Sequence, residues 1–227
     1  PSSSTAVTVP LPMWNAGNTC FLNALVQSLR AVCHRLELPI PHDSLCPLAP
    51  LLRRDELDEQ TFRTMVATHP VWETFPFRLQ HDAHEAARVL LEEDHPLHAA
   101  CSAAGCLART LHDVFKIDLE NELCCTEPGC TWTRKPRPDT TLDMSLAVQP
   151  VDLEELLATY QQAEYLNDQE DYVCRRCRGL VQKRIHIRPQ GRAVMLHLKR
   201  FGFGRAAQTV HAYVPFPQAL SMNGWQL

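Results

Sequence analysis

Apolar positions along the chain change period several times, and each change predicts an element. After Gly17-Asn18-Thr19, the residues Phe21, Leu22, Leu25, Val26 and Leu29 recur at helical spacing, which predicts an amphipathic helix with Cys20 at its N-terminus. The residues before it, 1–13, are rich in Ser, Thr and Pro and predict an extended lead-in. From about Cys33 to Phe77, Pro39, Pro41, Pro47, Pro50, Pro70 and Pro76 cut the chain into short helices and loops whose bounds the pattern does not give. A second clear helix begins near Asp82, because Ala83, Ala86, Ala87, Leu90 and Leu91 share a face and Asp82 with Glu85 has capping-box spacing.

From Thr110 to Leu146 the pattern turns toward strands, with a cysteine cluster and a Pro-rich turn at Lys135 to Pro138. Helix returns over Val151 to Tyr160, where Leu153, Leu156, Leu157 and Tyr160 follow the i, i+3, i+4, i+7 rule. Further on, Ile185 and Ile187 alternate with polar neighbours, Pro189-Gln190-Gly191 marks a turn, and Val194, Leu196 and Leu198 alternate again. That spacing predicts a hairpin. A helical first half followed by mixed strands reads as α+β.

Composition narrows the class. With 227 residues, 45% hydrophobic and 21% charged, the chain can bury one sizeable core. A formal charge of −4, with Lys and Arg scattered among Asp and Glu, leaves no footprint for nucleic acid. No stretch approaches the roughly 18 to 20 apolar residues that span a bilayer, and the first residues lack a signal-peptide pattern. The expectation is a soluble, monomeric, intracellular protein of the cytoplasm or nucleus, with no nucleic acid or membrane partner. In a reducing compartment the ten cysteines point to catalysis and metal ligation rather than to a disulfide framework.

A thiol attacks as its thiolate, and the partial positive charge and free N–H groups of a helix N-terminus favour that form. Cys20 is placed for this, although a small buried hydrophobe is the commoner fate of a free cysteine. The same N–H groups with a side-chain amide can hold an oxyanion, and Asn15 and Asn18 each carry such an amide. Cys174-x-x-Cys177 forms one thiolate knuckle. Cys125 with Cys130 forms another, with a longer gap and with Cys124 competing for its first position; together they supply four sulfurs for a structural zinc. Cys101 and Cys106 are read as incidental.

The string Asn15-Ala-Gly-Asn-Thr-Cys20-Phe-Leu-Asn-Ala-Leu-Val-Gln27-Ser-Leu29 resembles the cysteine box of the ubiquitin-specific proteases, papain-like deubiquitinases. Gln80-His-Asp82-Ala-His-Glu85 is similar to the start of that family's Gln-x-Asp-Ala-x-Glu helix, with Ala86 where an aromatic is usual. Tyr172-Val-Cys174-Arg-Arg-Cys177 resembles the second cysteine pair, and His197-Leu-Lys199-Arg200-Phe201 the Leu-Lys-Arg-Phe strand. The resemblance runs from residue 14 to residue 227. It implies a papain-like fold with a helical thumb over 14–109 and a mixed palm with β-fingers over 110–227, the fingers carrying a zinc-ribbon-like site. It implies Cys20 as nucleophile on the carbonyl of ubiquitin's C-terminal glycine, Asn15 on the oxyanion, Gln80 and Asp82 along the ubiquitin-tail channel, and ubiquitin or ubiquitinated proteins as partner.

Such chemistry also needs a base, usually a histidine. In the family that histidine follows the Leu-Lys-Arg-Phe strand in a His, Gly and Tyr rich box, and Trp225-Gln226-Leu227 resembles the lead-in to it. None of the eleven histidines takes its place. His211 is read as a surface strand residue before Val214-Pro-Phe216-Pro217, itself similar to a family strand, and His81 and His84 as helix-start residues facing solvent or packing locally. The expectation is therefore that these residues alone hydrolyse ubiquitin conjugates barely or not at all; the alternative is a pseudoenzyme that binds ubiquitin or a partner without cutting.

Overall fold

The computed structural model describes residues 13, 15, 18–42, 46–53, 58–76, 79–92, 106–166, 173–201, 209–222 and 225–226. Residues 1–12 of the lead-in, and Gly17, Phe77, Cys101, Tyr172 and Leu227, lie outside them. The chain forms two compact units, residues 1–113 and 114–227.

The first unit is helical. Helix α1, Cys20–Arg35, buries Phe21, Leu22, Leu25, Val26, Leu29 and Cys33 on one stripe, the Phe, Leu and Val side chains each contributing about 1.5–3 kcal/mol on burial. It ends in a Schellman turn: the Leu38 N–H donates to Cys33 O (2.8 Å) and the Glu37 N–H to His34 O (3.2 Å). Glu37 takes the left-handed φ of 52° where glycine is usual, and Pro39 then prevents the helix from resuming. Helix α2, Leu48–Leu52, follows Pro47 and buries four of its five residues. Helix α3, Glu59–Ala67, is capped by Asp58, which accepts from the Thr61 N–H, and buries Phe62 and Val66. A 3-10 turn over Pro70–Glu73 leads toward α4, Ala83–Leu91, which lays Ala86, Ala87, Leu90 and Leu91 into the core and packs on α1.

His69 caps the 3-10 turn and is 4% exposed. Its Nδ1 accepts from the Val71 N–H (3.1 Å), so Nε2 carries the hydrogen and donates to Pro47 O (2.9 Å). Burial holds its pKa below the ordinary histidine value, and the Pro47 carbonyl offsets that only in part. Because the unfolded chain takes up the proton more readily, stability is present above about pH 6.5 and falls as pH drops below it. We expect denaturant midpoints to decline from pH 7 to 5.5 and the His69→Asn protein, which keeps an acceptor for Val71, to show a shallower decline. Parallel curves for the two proteins would reject this.

Strands were expected from Thr110 onward, but helix α5, Leu107–Phe115, continues to residue 115. Leu107, Ala108, Leu111, Val114 and Phe115 all reach the core, a helical repeat that the cysteine-rich neighbourhood obscured. In the second unit β1, Ile117–Cys125, is central to an antiparallel sheet: β2, Thr133–Arg134, and β3, Asp139–Thr141, lie on one side, and β6, Val181–Pro189, then β5, Glu164–Tyr165, on the other. Alternation along β1 sends Ile117 and Leu123 inward and sets Asp118, Glu120 and Glu122 opposite Arg188, His186 and Arg184 of β6. Helix α6, Leu153–Tyr160, capped by Asp152, packs Leu156 and Leu157 with Ile117, Met144, Leu146 and Ile187.

The predicted hairpin does not form. Strand β7, Met195–Lys199, leaves the antiparallel sheet and pairs in parallel with β4, Asp143–Ala147, while β6 already has β1 and β5 on its two edges. Across the parallel pair Ser145 Oγ lies 2.9 Å from both Asp143 Oδ2 and His197 Nδ1. The serine stands in the middle, so this trio lacks the order of a Ser-His-Asp relay. His211 is exposed, but neither it nor Val214–Pro217 belongs to a strand; Pro215 and Pro217 have no N–H to donate, and Pro215 O instead accepts from the Leu153 N–H (3.0 Å). Strands β8, Ser221–Met222, and β9, Trp225–Gln226, form a short antiparallel pair. Among the described residues no helix is long and apolar enough to cross a membrane.

Candidate active-site cysteine and metal centre

Cys20 is the first residue of α1 and is exposed, unlike Cys33 on the same helix, whose thiol burial pushes up to about 11. The entry into the helix is shaped by Asn18 at φ 57°, a left-handed conformation that asparagine tolerates. Asn15, also exposed, reaches the helix start through its side chain: Oδ1 accepts from the Thr19 N–H and from Thr19 Oγ1, both at 3.0 Å. With the oxygen engaged, Nδ2 is the end of that amide left to donate. Thr19 makes no side-chain cap bond, so its hydroxyl does not compete for the first-turn N–H groups beside the Cys20 sulfur.

The segment before α4 is tied to the same helix end. The His81 ring sits 5.3 Å from Phe21 and 5.0 Å from Phe75, Phe21 also meets Phe75 and Trp72 edge-on, and His81 Nε2 bonds Pro76 O at 3.1 Å. Gln80 is exposed next to this cluster. Asp82 caps α4, with Oδ1 accepting from the His84 N–H at 2.8 Å. The aromatic cluster was invisible in the sequence, since Phe21, Trp72, Phe75 and His81 share no period.

The second candidate site lies in the second unit, where β1 ends and β6 begins. The sulfur atoms of Cys125, Cys130, Cys174 and Cys177 all lie within 4.8 Å of one another, with Cys125–Cys177 at 3.4 Å and Cys130–Cys174 at 3.7 Å. A tetrahedral ion with metal–sulfur bonds of about 2.3 Å sets its sulfurs about 3.8 Å apart, so the donor set fits a metal. Each knuckle also turns a backbone N–H onto its first sulfur, Glu127 onto Cys125 (3.5 Å) and Arg176 onto Cys174 (3.4 Å). The longer gap of the first knuckle is absorbed by a turn in which Gly129 takes φ 80° and the Cys130 N–H donates to Glu127 O.

Register also separates Cys125 from Cys124. Cys125 lies opposite Val181 and shares its face with Leu123, whereas Cys124, opposite Thr133 and Gln182, points to the other side. Burial pushes the Cys174 thiol up, but the N–H groups of Cys177 and Arg176 and the neighbouring sulfurs outweigh it and bring it to about 7. At Cys125 the Glu127 N–H favours the thiolate, yet burial and the neighbouring thiols raise it to about 12. Four crowded sulfurs thus cannot all ionise without a cation among them. Cys106 is buried beside Cys46, whose thiol burial also raises.

A sequence model of the family described as ubiquitin carboxyl-terminal hydrolase matches residues 12–226. Ubiquitin carboxyl-terminal hydrolase 47 of Drosophila melanogaster is 29% identical over 237 residues, covering 92% of this chain and 14% of its own length. Ubiquitin carboxyl-terminal hydrolase 3 of Mus musculus is 27% identical over 286 residues, covering 95% and 54%. Among solved structures, the SAGA DUB module of Ubp8, Sgf11, Sus1 and Sgf73 bound to monoubiquitin is similar with a TM-score of 0.71 at 22% identity, over 96% of this chain and 56% of that one. The module bound to ubiquitin aldehyde gives 0.70 at 23%, over 92% and 51%. The chain therefore spans about half the length of most of these relatives, and of the fly protein much less. On this match the chain belongs to the ubiquitin carboxyl-terminal hydrolases, in the ubiquitin-specific protease family of thiol-dependent deubiquitinases.

Proposed function

We propose that the chain supplies the nucleophile and oxyanion donor of a deubiquitinase that hydrolyses the isopeptide bond after ubiquitin's C-terminal glycine. The observation that carries this reading is an exposed Cys20 at the mouth of α1 beside an Asn15 amide whose oxygen is already engaged. In this reading the Cys20 sulfur attacks the carbonyl carbon, and Asn15 Nδ2 with first-turn N–H groups holds the oxygen as its charge develops. Gln80 and Asp82, pinned near the same helix end by His81, line the path of the ubiquitin tail. Zinc at Cys125, Cys130, Cys174 and Cys177 is structural and takes no part in the chemistry.

The proton on the thiol needs a base. His69, His81 and His112 are each bonded to a backbone carbonyl, of Pro47, Pro76 and Leu91, which makes them poor candidates. We take the base to be the family's histidine after the Leu-Lys-Arg-Phe strand, and expect the 227 residues by themselves to turn over a fluorogenic ubiquitin substrate roughly 10²–10⁴-fold more slowly than a complete enzyme. A ubiquitin probe with an electrophilic C-terminus tests the reading. Covalent labelling that maps to Cys20 and disappears in Cys20→Ala is the expected result; saturable ubiquitin binding without labelling would make the protein a binder instead.

A further inference from the structure

We infer that Thr19 is a positioning residue, one that turns the Asn15 amide so that its NH2 end, not its oxygen, is offered to the oxyanion; this rests on the reading of Cys20 and Asn15 just given. A threonine at a helix N-cap ordinarily turns its hydroxyl onto the N–H groups of the first turn. Thr19 does not: at φ −89° and ψ 8° it makes no side-chain cap bond. Its hydroxyl and its own N–H converge instead on one atom, Asn15 Oδ1, each at 3.0 Å.

The two ends of an asparagine amide have nearly the same shape, and its last torsion is soft and roughly two-fold. Left to itself the group would present an acceptor oxygen about as readily as a donor, and an acceptor repels a developing oxyanion. A backbone N–H can only donate, so the atom facing Thr19 must be the oxygen. The hydroxyl occupies its remaining lone-pair site. Thr19 is itself 1% exposed, so the donor end of both bonds is shielded from water. A nucleophile preceded by a buried hydroxyl aimed away from the helix is thus part of how the oxyanion donor is oriented.

Ubiquitin aldehyde separates this role from a purely structural one. The Cys20 thiol adds to its carbonyl: the S–C bond forms, the C=O π bond opens, and the thiol proton ends on the oxygen, which sits where the oxyanion would. Binding of ubiquitin aldehyde and of unmodified ubiquitin is measured for the wild type, Thr19→Val, Thr19→Ser and Asn15→Ala. The valine variant keeps the shape and forfeits no cap bond. We expect it to lose about fivefold to tenfold of the preference for the aldehyde, the share of one hydrogen bond, with ubiquitin binding within about twofold of wild type and with Thr19→Ser restoring the preference.

Equal losses for both ligands, or a serine variant no better than valine, would overturn the inference and leave Thr19 a structural residue. A full loss in Asn15→Ala with none in Thr19→Val would do the same while leaving the proposed function standing. A wild type with no preference for the aldehyde would sink both.

Discussion

Stripping the metal from the four-cysteine cluster, by chelation or by Cys174→Ser, is expected to unfold the tip of the five-stranded sheet. Among the described residues, only Leu123, Cys174 and Val181 are buried in the cluster there, with Cys125, Cys130, Trp132 and Leu166 partly so, and one of the three is itself a cysteine of the proposed site. A core that small does not hold two knuckles together. Structural zinc in small peptides binds with about 10–16 kcal/mol of apparent free energy, which becomes folding free energy where no site exists beforehand. Elemental analysis should find one zinc per wild-type chain and none in Cys174→Ser. Hydrogen exchange should show protection lost over 173–185 and at the β1–β2 turn. Unchanged protection in reduced, metal-free protein would remove the metal from the account of the fold.

The same cluster should bind zinc with a steep pH dependence. The Cys125 thiol is raised to about 12 and Cys177 is raised with it, whereas Cys174 is lowered to about 7. At neutral pH the metal-free cluster therefore retains at least the Cys125 and Cys177 protons, which the ion must displace, so affinity falls as pH falls, by roughly 10²-fold per unit or more. Competition against a chromophoric chelator between pH 8 and 6.5 measures the slope.

The second large effect belongs to Asn15. Removing one oxyanion donor ordinarily costs 10²–10³ in rate, so Asn15→Ala should slow probe labelling of Cys20 by about that factor. Its side chain is exposed and, among the described residues, its bonds reach only the Thr19 backbone and hydroxyl, so the fold and the affinity for unmodified ubiquitin should change little. A variant that labels at the wild-type rate would pass the oxyanion to the first-turn N–H groups alone. One that fails to bind ubiquitin at all would show that the residue shapes the site rather than the reaction.

Helices α1, α4 and α6 were legible because each buries a stripe whose spacing is local, and Asp82 announced the start of α4 in the same way. Position 20 at a helix mouth followed from that periodicity, as did the pairing of two cysteine knuckles from their composition. What the chain does not write locally was lost. The turn at Pro189–Gly191 reads as the bend of a hairpin, but which edge β7 takes depends on β4, far away in sequence. Helix α5 was missed because its repeat begins beside Cys106, in a stretch dominated by other signals. The choice between Cys124 and Cys125 required the register of β1 against β6, and the engagement of Asn15 by Thr19 required backbone angles that no residue type dictates.

The parallel pairing of β4 with β7 also constrains the order in which the second unit assembles. Residues 148–194 separate the two strands, and this stretch contains α6, β5, the second knuckle and β6. Closing so long a loop is entropically costly until something inside it has already condensed, whereas β1 meets β2 and β3 through short connections. The clamp of Cys125 and Cys130 onto Cys174 and Cys177 anchors the middle of that excursion, and β6 running back along β1 delivers the chain to within a few residues of β7. On this topology the parallel pair is expected to close late in folding, after the two distant knuckles have met.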